Sequence, residues 1–281
     1  MISRVIEWTV PSPRPLLRQP AVLAALIWLM LVTLGAGLAP LLAPEGPLAA
    51  DTSRSLLPPG AGSLLGTDLF GREVSTRLLW GGRWTLGIGL LGLATAVGLG
   101  LPLGLAAGFL GGRVESVTMQ LVDALLAFPG LLLAMAVVAI VGPGMASVAI
   151  AAGIAAAPAY ARVARSTARE LRTQPYIEAV RALGGSTRRI LANHILPNAA
   201  APLVAFAATQ LGWILLNSAA LDFLGLGVPL GTPEWGAMLD EGRGYLRDAP
   251  WVSAFPGLAL TLTVLAANLL GDSLQKTLQT R

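Results

Sequence analysis

Residues 124–161 decide the fold, because they read ALLAFPGLLLAMAVVAIVGPGMASVAIAAGIAAAPAYA without one charged side chain. As a single helix this stretch would be about 57 Å long, whereas the hydrocarbon core of a bilayer is about 30 Å thick. Gly142-Pro143-Gly144 lies near its middle, and proline with flanking glycines breaks a helix and permits a tight turn. The stretch therefore predicts two helices that cross a membrane in opposite directions.

Four other stretches are long and free of charge, and each predicts one more crossing. They are Gln19–Pro44, Trp84–Gly112, Ile195–Leu221 and Ala249–Gly271. The composition agrees, since only 12% of the 281 residues are charged, about half the usual share of a soluble domain. The first apolar stretch exceeds the 7–15 residues or so typical of a cleaved signal peptide, so we expect a retained helix. The fold class predicted is an all-α membrane protein with six transmembrane helices.

The positively charged residues predict the orientation. With both termini in the cytoplasm, 13 of the 19 Lys and Arg residues lie inside, and seven of them lie in the loop between spans four and five, at about residues 162–198. The predicted segments are a cytoplasmic N-terminal segment (1–18), a first transmembrane helix (19–44), an external segment (45–83), a five-helix core (84–275) and a cytoplasmic tail (276–281). The net charge of +4 is thus explained by the cytoplasmic loops, with no nucleic-acid partner.

Missing residue types exclude several activities. The chain has no cysteine, a single histidine (His194) and a single lysine (Lys276). A P-loop requires a lysine at the start of a helix, so we expect no ATP or other cofactor in this chain. A metal site built from histidine and cysteine is excluded as well, and no catalytic residues are predicted. The sequence therefore offers few of the residues that an intramembrane enzyme would use as a nucleophile, a base or a metal ligand.

The loop between spans four and five contains YIEAVRALGGSTRRILANHILPN at residues 176–198. It predicts two short helices: Pro175 suits a first turn, Gly184 ends the first helix, Ser186 caps the second and Pro197 ends it. Ile177, Val180 and Leu183 are spaced to share one apolar face. That face suits a groove in a partner protein, and a helix lying on the lipid surface explains the spacing equally well.

This segment resembles the EAA loop of permease subunits of bacterial ATP-binding-cassette importers. The positions that match the motif are Glu178, Ala179, Val180, Gly184, Leu196 and Pro197. Val180 stands where the motif has a second alanine, and His194 stands at an isoleucine position. The resemblance implies that this loop transmits force from an ATPase subunit, with a slightly altered contact surface.

A second motif precedes the second span. Leu65–Arg77, with Gly66, Thr67, Asp68, Gly71 and Arg72, resembles the external signature of the peptide and nickel permease family. Further stretches at 220–227, 232–239, 255–257 and 268–272 resemble the second-subunit (C-type) sequences of that family, so the likeness runs from about residue 15 to about 276. The residues themselves predict a structural clamp in which Asp68 or Glu73 pairs with Arg72, Arg77 or Arg83, and direct contact of this segment with a ligand is the alternative.

The resemblance implies a complete transport complex in the bacterial inner membrane. Its partners would be a homologous permease subunit, forming a heterodimer, two nucleotide-binding subunits that hold ATP and Mg²⁺, an external solute-binding protein and membrane lipid. The implied cargo is a di- or oligopeptide, with a nickel chelate or a glutathione-type peptide as alternatives.

Three acids, Asp123, Asp222 and Asp272, lie at the edges of predicted spans, where a carboxylate can reach water or cap a helix. Asp222 is the one candidate for contact with the substrate in the pathway. A secondary transporter driven by an ion gradient is the rival class, but it would typically show inverted repeats and acids at the membrane midplane, and the sequence offers neither.

Overall fold

The computed structural model describes residues 19–229 and 231–279, with side chains through residue 277, and this part of the chain is all helical. Its α-helices are α1 (Pro20–Leu42), α2 (Val74–Leu110), α3 (Gly112–Leu126), α4 (Gly130–Val141), α5 (Met145–Arg172), α6 (Pro175–Ala182), α7 (Thr187–Ile190), α8 (Leu196–Phe223), α9 (Trp235–Gly242) and α10 (Trp251–Gln279). The predicted cytoplasmic N-terminal segment, 1–18, and the last two residues of the predicted tail lie outside the described residues.

Among the described residues, five helical stretches are long and apolar enough to cross a membrane: α1, α2, α5, α10 and the continuous run Thr187–Phe223. A pair of shorter helices, α3 and α4, passes the same test together, although the two are bent by 92°. Counting this pair as one broken span gives the six crossings that the sequence predicts. The all-α membrane fold class is thus confirmed.

The second span begins ten residues earlier than predicted, at Val74 instead of Trp84. This helix has 37 residues and is about 55 Å long, more than the roughly 30 Å of a hydrocarbon core, so its first turns can extend beyond the membrane and the external segment reaching residue 83 stays a prediction. Arg77 is buried in ion pairs, and Arg83 lies over the ring of Trp80, so both cations fit in the first turns of a long helix. At the other end of the chain, α10 continues to Gln279, through most of the predicted tail.

The third crossing also differs from the prediction of a helix starting at Ala124. Pro129 precedes α4, which has 12 residues and is therefore about 18 Å long, too short to cross a bilayer alone. The amphipathic α3 supplies the remaining length before the bend. The turn at Gly142-Pro143-Gly144 is confirmed, since α4 ends at Val141, α5 begins at Met145 and both glycines have positive φ angles.

The closest helix packing joins α2 to α5. A Cβ added at Gly104 would lie 2.2 Å from the carbonyl oxygen of Ala161, and one at Gly108 would lie 2.3 Å from that of Arg165. Glycines spaced four residues apart on α2 thus allow the two backbones to touch, as is common between helices in membranes. This contact holds the centre of the bundle together.

Two apolar clusters cap the ends of α2. At its C-terminal end, Leu105 and Phe109 pack with residues of α5, α6, α7 and the start of α8. At its N-terminal end, Val74 packs with Trp235 and with residues of α8 and α10. The two regions that the sequence marks as functional, residues 176–198 and 66–77, are therefore held at opposite ends of one helix.

Candidate functional site

The connection between α5 and α8, residues 173–195, forms the two short helices that the sequence predicts. Pro175 occupies the first turn of α6, where its missing N–H costs no hydrogen bond. Gly184 follows the helix with φ +82°, a left-handed conformation that suits glycine. Ser186 caps α7 by accepting a hydrogen bond from the backbone N–H of Arg189. These three predictions are confirmed.

The prediction that Pro197 ends the second helix was wrong. Residues Leu191–Ile195 form a π turn that leads directly into α8, and Pro197 occupies the first turn of that helix. A proline normally clashes with the carbonyl four residues earlier, and a wider π turn relieves such a conflict. Leu196, which together with Pro197 ends the EAA-loop motif, is 40% exposed. The connection is therefore continuous with the membrane-spanning helix α8.

The predicted apolar face of α6 is divided. Ile177 is fully buried against the ends of α2, α5 and α8, and Val180 packs on the same cluster. Leu183 is 88% exposed, because the chain turns away from the helix at its end. Two of the three residues thus serve internal packing. The exposed surface of the connection consists of Glu178, Ala179, Leu183 and Gly184 with their neighbours.

At the opposite end of the bundle, four charged side chains form one cluster: Asp68, Arg72, Arg77 and Glu241 (the four-charge cluster). Asp68 Oδ2 lies 2.6 Å from Arg72 Nε and 2.8 Å from Arg77 Nη1. Glu241 Oε2 lies 2.8 Å from Arg72 Nη2 and 2.6 Å from Arg77 Nη1. Each arginine therefore bridges two carboxylates, and the charges balance.

The remaining signature residues shape the turn that presents Asp68. Gly66 and Gly71 have φ angles of +84° and +73°. A Cβ at Gly71 would lie 1.7 Å from the carbonyl oxygen of Asp51, so no side chain fits there. The Thr67 hydroxyl accepts a hydrogen bond from the backbone N–H of Leu57 and donates one to the carbonyl of Arg54. The structural clamp that the residues predict is present.

The partners within this clamp differ in part from the prediction. Glu73 pairs with Arg54 and accepts a hydrogen bond from Ser63, so it takes no part in the four-charge cluster. Glu241, which completes the cluster, was missed. It lies 164 residues after Arg77, and nothing local in the sequence indicates such a pairing.

Asp222 is 4% exposed, so of the two roles expected for an acid at the end of a span, contact with water is wrong, and its proposed contact with the substrate stays a prediction. Its Oδ1 accepts a hydrogen bond from the backbone N–H of Val228, and its carboxyl also shares a hydrogen bond with the side chain of Glu234. The reason for its burial is the turn at 224–228, which folds back over the end of α8.

Glu234, beside Asp222, is a further buried acid that the sequence reasoning missed. It is fully buried, and it accepts hydrogen bonds from the Thr85 hydroxyl and from the backbone N–H of Ala237 at the start of α9. Burial raises the pKa of the Glu234 carboxyl. One feature of the sequence could have indicated this role: Glu234 lies in the stretch Thr-Pro-Glu-Trp, 232–235, where an acidic side chain can cap the start of a helix.

Arg77 offers a test of the four-charge cluster. Replacing Arg77 with Gln leaves Asp68 and Glu241 short of a buried partner, and breaking a buried ion pair costs about 3–5 kcal/mol. We expect Arg77→Gln to lower the free energy of unfolding by that amount, measured by denaturant titration of the purified chain in detergent. Arg83→Gln, on the exposed side of the same helix, is the matched control and should cost under about 1 kcal/mol. Equal losses in the two variants would contradict a structural role for the cluster.

Comparisons with known proteins identify the family. Residues 100–281 match the family model described as binding-protein-dependent transport system inner membrane component. The chain is 40% identical over 270 residues to a putative peptide transport system permease protein of Brucella suis, covering 96% of this chain and 91% of that protein. It is 44% identical over 220 residues to a glutathione transport system permease protein of Pectobacterium atrosepticum, covering 78% and 73% respectively.

A solved structure shares the fold. The chain superposes on a chain of the inward-facing MetNI methionine ABC transporter with a TM-score of 0.59 and 23% sequence identity. The match covers 71% of this chain and 95% of that chain. At this identity the likeness concerns the arrangement of the helices alone.

Proposed function

Because this chain belongs to the family of binding-protein-dependent transport system inner membrane components, we propose that it forms half of the translocation pathway of an ATP-driven importer of short peptides. The observation that carries the proposal is the 40% identity over almost the full length to a peptide transport system permease. Membership in this family also argues against the rival class of function, a secondary transporter driven by an ion gradient. The permease itself is proposed to be non-catalytic.

The proposed cargo is a di- or oligopeptide. The glutathione permease relative extends the range to a glutathione-type peptide, which is the first alternative. A nickel chelate is the second alternative. A bare nickel ion would be held by imidazole or thiolate ligands, and the chain has one histidine and no cysteine.

The proposed complex contains four kinds of partner. A homologous permease subunit completes the pathway as a heterodimer, two nucleotide-binding subunits hold ATP and Mg²⁺, and an external solute-binding protein delivers the peptide. Membrane lipid covers the outer surface. The exposed leucine and methionine side chains of α1 support the last contact: Leu23, Leu26, Met30, Leu31, Leu34, Leu38 and Leu41 are each between 38% and 78% exposed.

The connection between α5 and α8 is proposed to contact the nucleotide-binding subunit. Its exposed Leu183 offers an apolar side chain to a partner, and Glu178 and Ala179 lie on the same short helix, α6. Ile177 anchors α6 to the bundle, so a displacement of α6 acts on the packed ends of α2, α5 and α8. Closure of the ATPase would then bias the permease between two conformations, which is a coupling free energy between distant sites.

Uptake by the reconstituted complex tests the proposed function. Proteoliposomes that contain this chain, the homologous permease, the two ATPase subunits and the external binding protein should accumulate labelled dipeptide with ATP. Omitting this chain should abolish uptake, and the purified chain alone should hydrolyse no ATP, because its only lysine lies outside any P-loop. Uptake of nickel with no uptake of dipeptide or glutathione would contradict the peptide proposal.

The orientation is proposed to place the α5–α8 connection in the cytoplasm and the four-charge cluster outside, as the distribution of arginines favours. The chain has no cysteine, so single cysteines report their side of the membrane directly. Ala61→Cys should react with an impermeant maleimide in intact cells, whereas Arg188→Cys should react only after the membrane is opened. Both positions are exposed. Labelling of Arg188→Cys in intact cells would reverse the orientation.

Leu183 and Gly184 test the proposed contact with the ATPase. Leu183→Asp removes an apolar contact worth about 1.5–3 kcal/mol if it is buried in the partner. We expect a large loss of ATP-driven uptake with an unchanged amount of folded permease. Leu246→Asp is the matched control, because Leu246 is also an exposed leucine, at 56%, but lies next to α9 at the other end of the bundle.

At Gly184, Asn tolerates the left-handed conformation and Val does not. Gly184→Asn should therefore retain more uptake than Gly184→Val. The addition of a Cβ meets no atom of this chain within 4 Å, so a loss of uptake in both variants would indicate contact with the partner at this point. Normal uptake by Leu183→Asp and by Gly184→Val would contradict a coupling role.

A further inference from the structure

We propose that Trp213 and Asn217, on the helix α8, form a contact for the main-chain amides of the transported peptide near the middle of the membrane. Trp213 lies ten residues before Phe223, the last residue of α8, which is a rise of about 15 Å. That is half the thickness of a hydrocarbon core of about 30 Å. Asn217 lies one turn nearer to the end of the helix. Naming a peptide as the ligand rests on the proposed function.

The indole N–H of Trp213 has no acceptor among the described residues. Four other tryptophans donate this hydrogen to an oxygen of the chain at 3.0–3.2 Å: Trp28, Trp80, Trp235 and Trp251. Trp213 is partly buried, and its Nε1 is not one of the buried polar atoms, so a ligand can reach this nitrogen. A donor that faced lipid would stay unpaired in an apolar medium, which costs free energy. A polar ligand at this point removes that cost.

Asn217 supplies the matching acceptor. Its Nδ2 donates to the carbonyl oxygen of Trp213 at 2.9 Å, which uses one amide hydrogen and leaves Oδ1 without a donor among the described residues. Thr33, an exposed residue of the apolar helix α1, donates its hydroxyl hydrogen to the carbonyl oxygen of Leu29. A polar side chain on a lipid-covered helix can thus satisfy its donor locally, whereas Trp213 and Asn217 leave a donor and an acceptor available.

The third crossing is broken beside Trp213. A Cβ added at Gly130, the first residue of α4, would lie 2.6 Å from Cζ2 of Trp213. The helix α4 packs on α5 and α8, whereas α3, bent by 92° from α4, packs on α2 and α5. Phe128, in the connection between α3 and α4, is 62% exposed. Non-helical backbone at this depth lines protein or water and not lipid, so this side of α8 faces the proposed pathway.

The chemistry of the two side chains indicates an uncharged ligand group. An indole N–H donates and a carboxamide oxygen accepts, which matches the carbonyl and the N–H of a peptide bond. The helix α4 has no charged residue, and the only charged residue of α8 is Asp222, near its end. This contact therefore recognises the main chain and tolerates different side chains on the peptide.

Cysteine accessibility tests whether Asn217 faces water. The chain has no cysteine, so an introduced one is the only thiol it carries. In nanodiscs that hold both permeases and both ATPase subunits, Asn217→Cys should react with a charged methanethiosulfonate, and trialanine should slow the reaction. Thr33→Cys, on the apolar helix α1, is the matched position and should not react. The complex with the unaltered chain gives the background from the partner subunits.

Direct binding tests the amide chemistry. Saturation-transfer NMR on the same nanodiscs, without the external binding protein, compares trialanine with trisarcosine. The two peptides are isomers, but both amide nitrogens of trisarcosine carry a methyl group in place of the hydrogen. We expect trialanine to bind about three- to tenfold more tightly, which is the effect of one hydrogen bond.

The two residues have different expected effects. Asn217→Leu removes the acceptor and should make the two peptides bind equally. Trp213→Phe removes a donor to the peptide carbonyl, which both peptides have, so it should weaken both by about three- to tenfold and keep the preference. Trp84→Phe is the matched control for Trp213, because Trp84 is 39% exposed in the first turns of α2, away from this contact. Thr33→Val is the control for Asn217, and neither control should change binding.

Three results would overturn the proposal: an unreactive Asn217→Cys, equal binding of the two peptides to the unaltered complex, or unchanged binding in Trp213→Phe. The Asn217 variants decide the question if Trp213→Phe assembles poorly, as judged by size-exclusion chromatography. Peptide uptake, measured with the external binding protein added, separates this proposal from the proposed function. Uptake of trialanine together with any of the three results refutes the contact and leaves the function intact. Binding of trialanine that depends on Asn217, without any peptide uptake, supports the contact and refutes the function.

Discussion

The contact between α2 and α5 is the constraint on which the rest of the structure depends. In a bilayer the hydrophobic effect does not hold helices together, so close van der Waals packing has to do so. Gly104 and Gly108 allow the backbone of α2 to reach carbonyl oxygens of α5, a distance that any side chain would prevent. With this pair fixed, the positions of both ends of α2 are set as well.

Those ends carry the two charged regions of the molecule. Arg77, in the first turns of α2, belongs to the four-charge cluster, and Thr85, two turns later, holds Glu234 at the start of α9. At the other end, Phe109 packs against the cluster around Ile177 and lies under the guanidinium of Arg181. A helix of 37 residues is about 55 Å long, so the length of α2 sets the distance between the two regions.

Local features of this architecture were predictable from the sequence, and long-range ones were not. Gly184 and Ser186 act on their own helix ends, so their roles follow from a few neighbouring residues. The burial of Ile177 depends on where α2, α5 and α8 end, and periodicity alone does not tell an internal contact from an external one. The pairing of Arg77 with Glu241 depends on the tertiary fold in the same way.

The helix α8 links the proposed ATPase contact to the buried carboxyl of Asp222. It begins where the π turn Leu191–Ile195 ends, and Asp222 lies one residue before its C-terminus. Because α8 is continuous with the α5–α8 connection, a rotation or shift of that connection would also move α8 and, at its far end, the Asp222 carboxyl. The hydrogen bond from Val228 ties the following turn to the same carboxyl. The conformation that ATP selects would thus be felt at the end of α8 beside Asp222, and reciprocity requires that a ligand bound at that end also influence the ATPase.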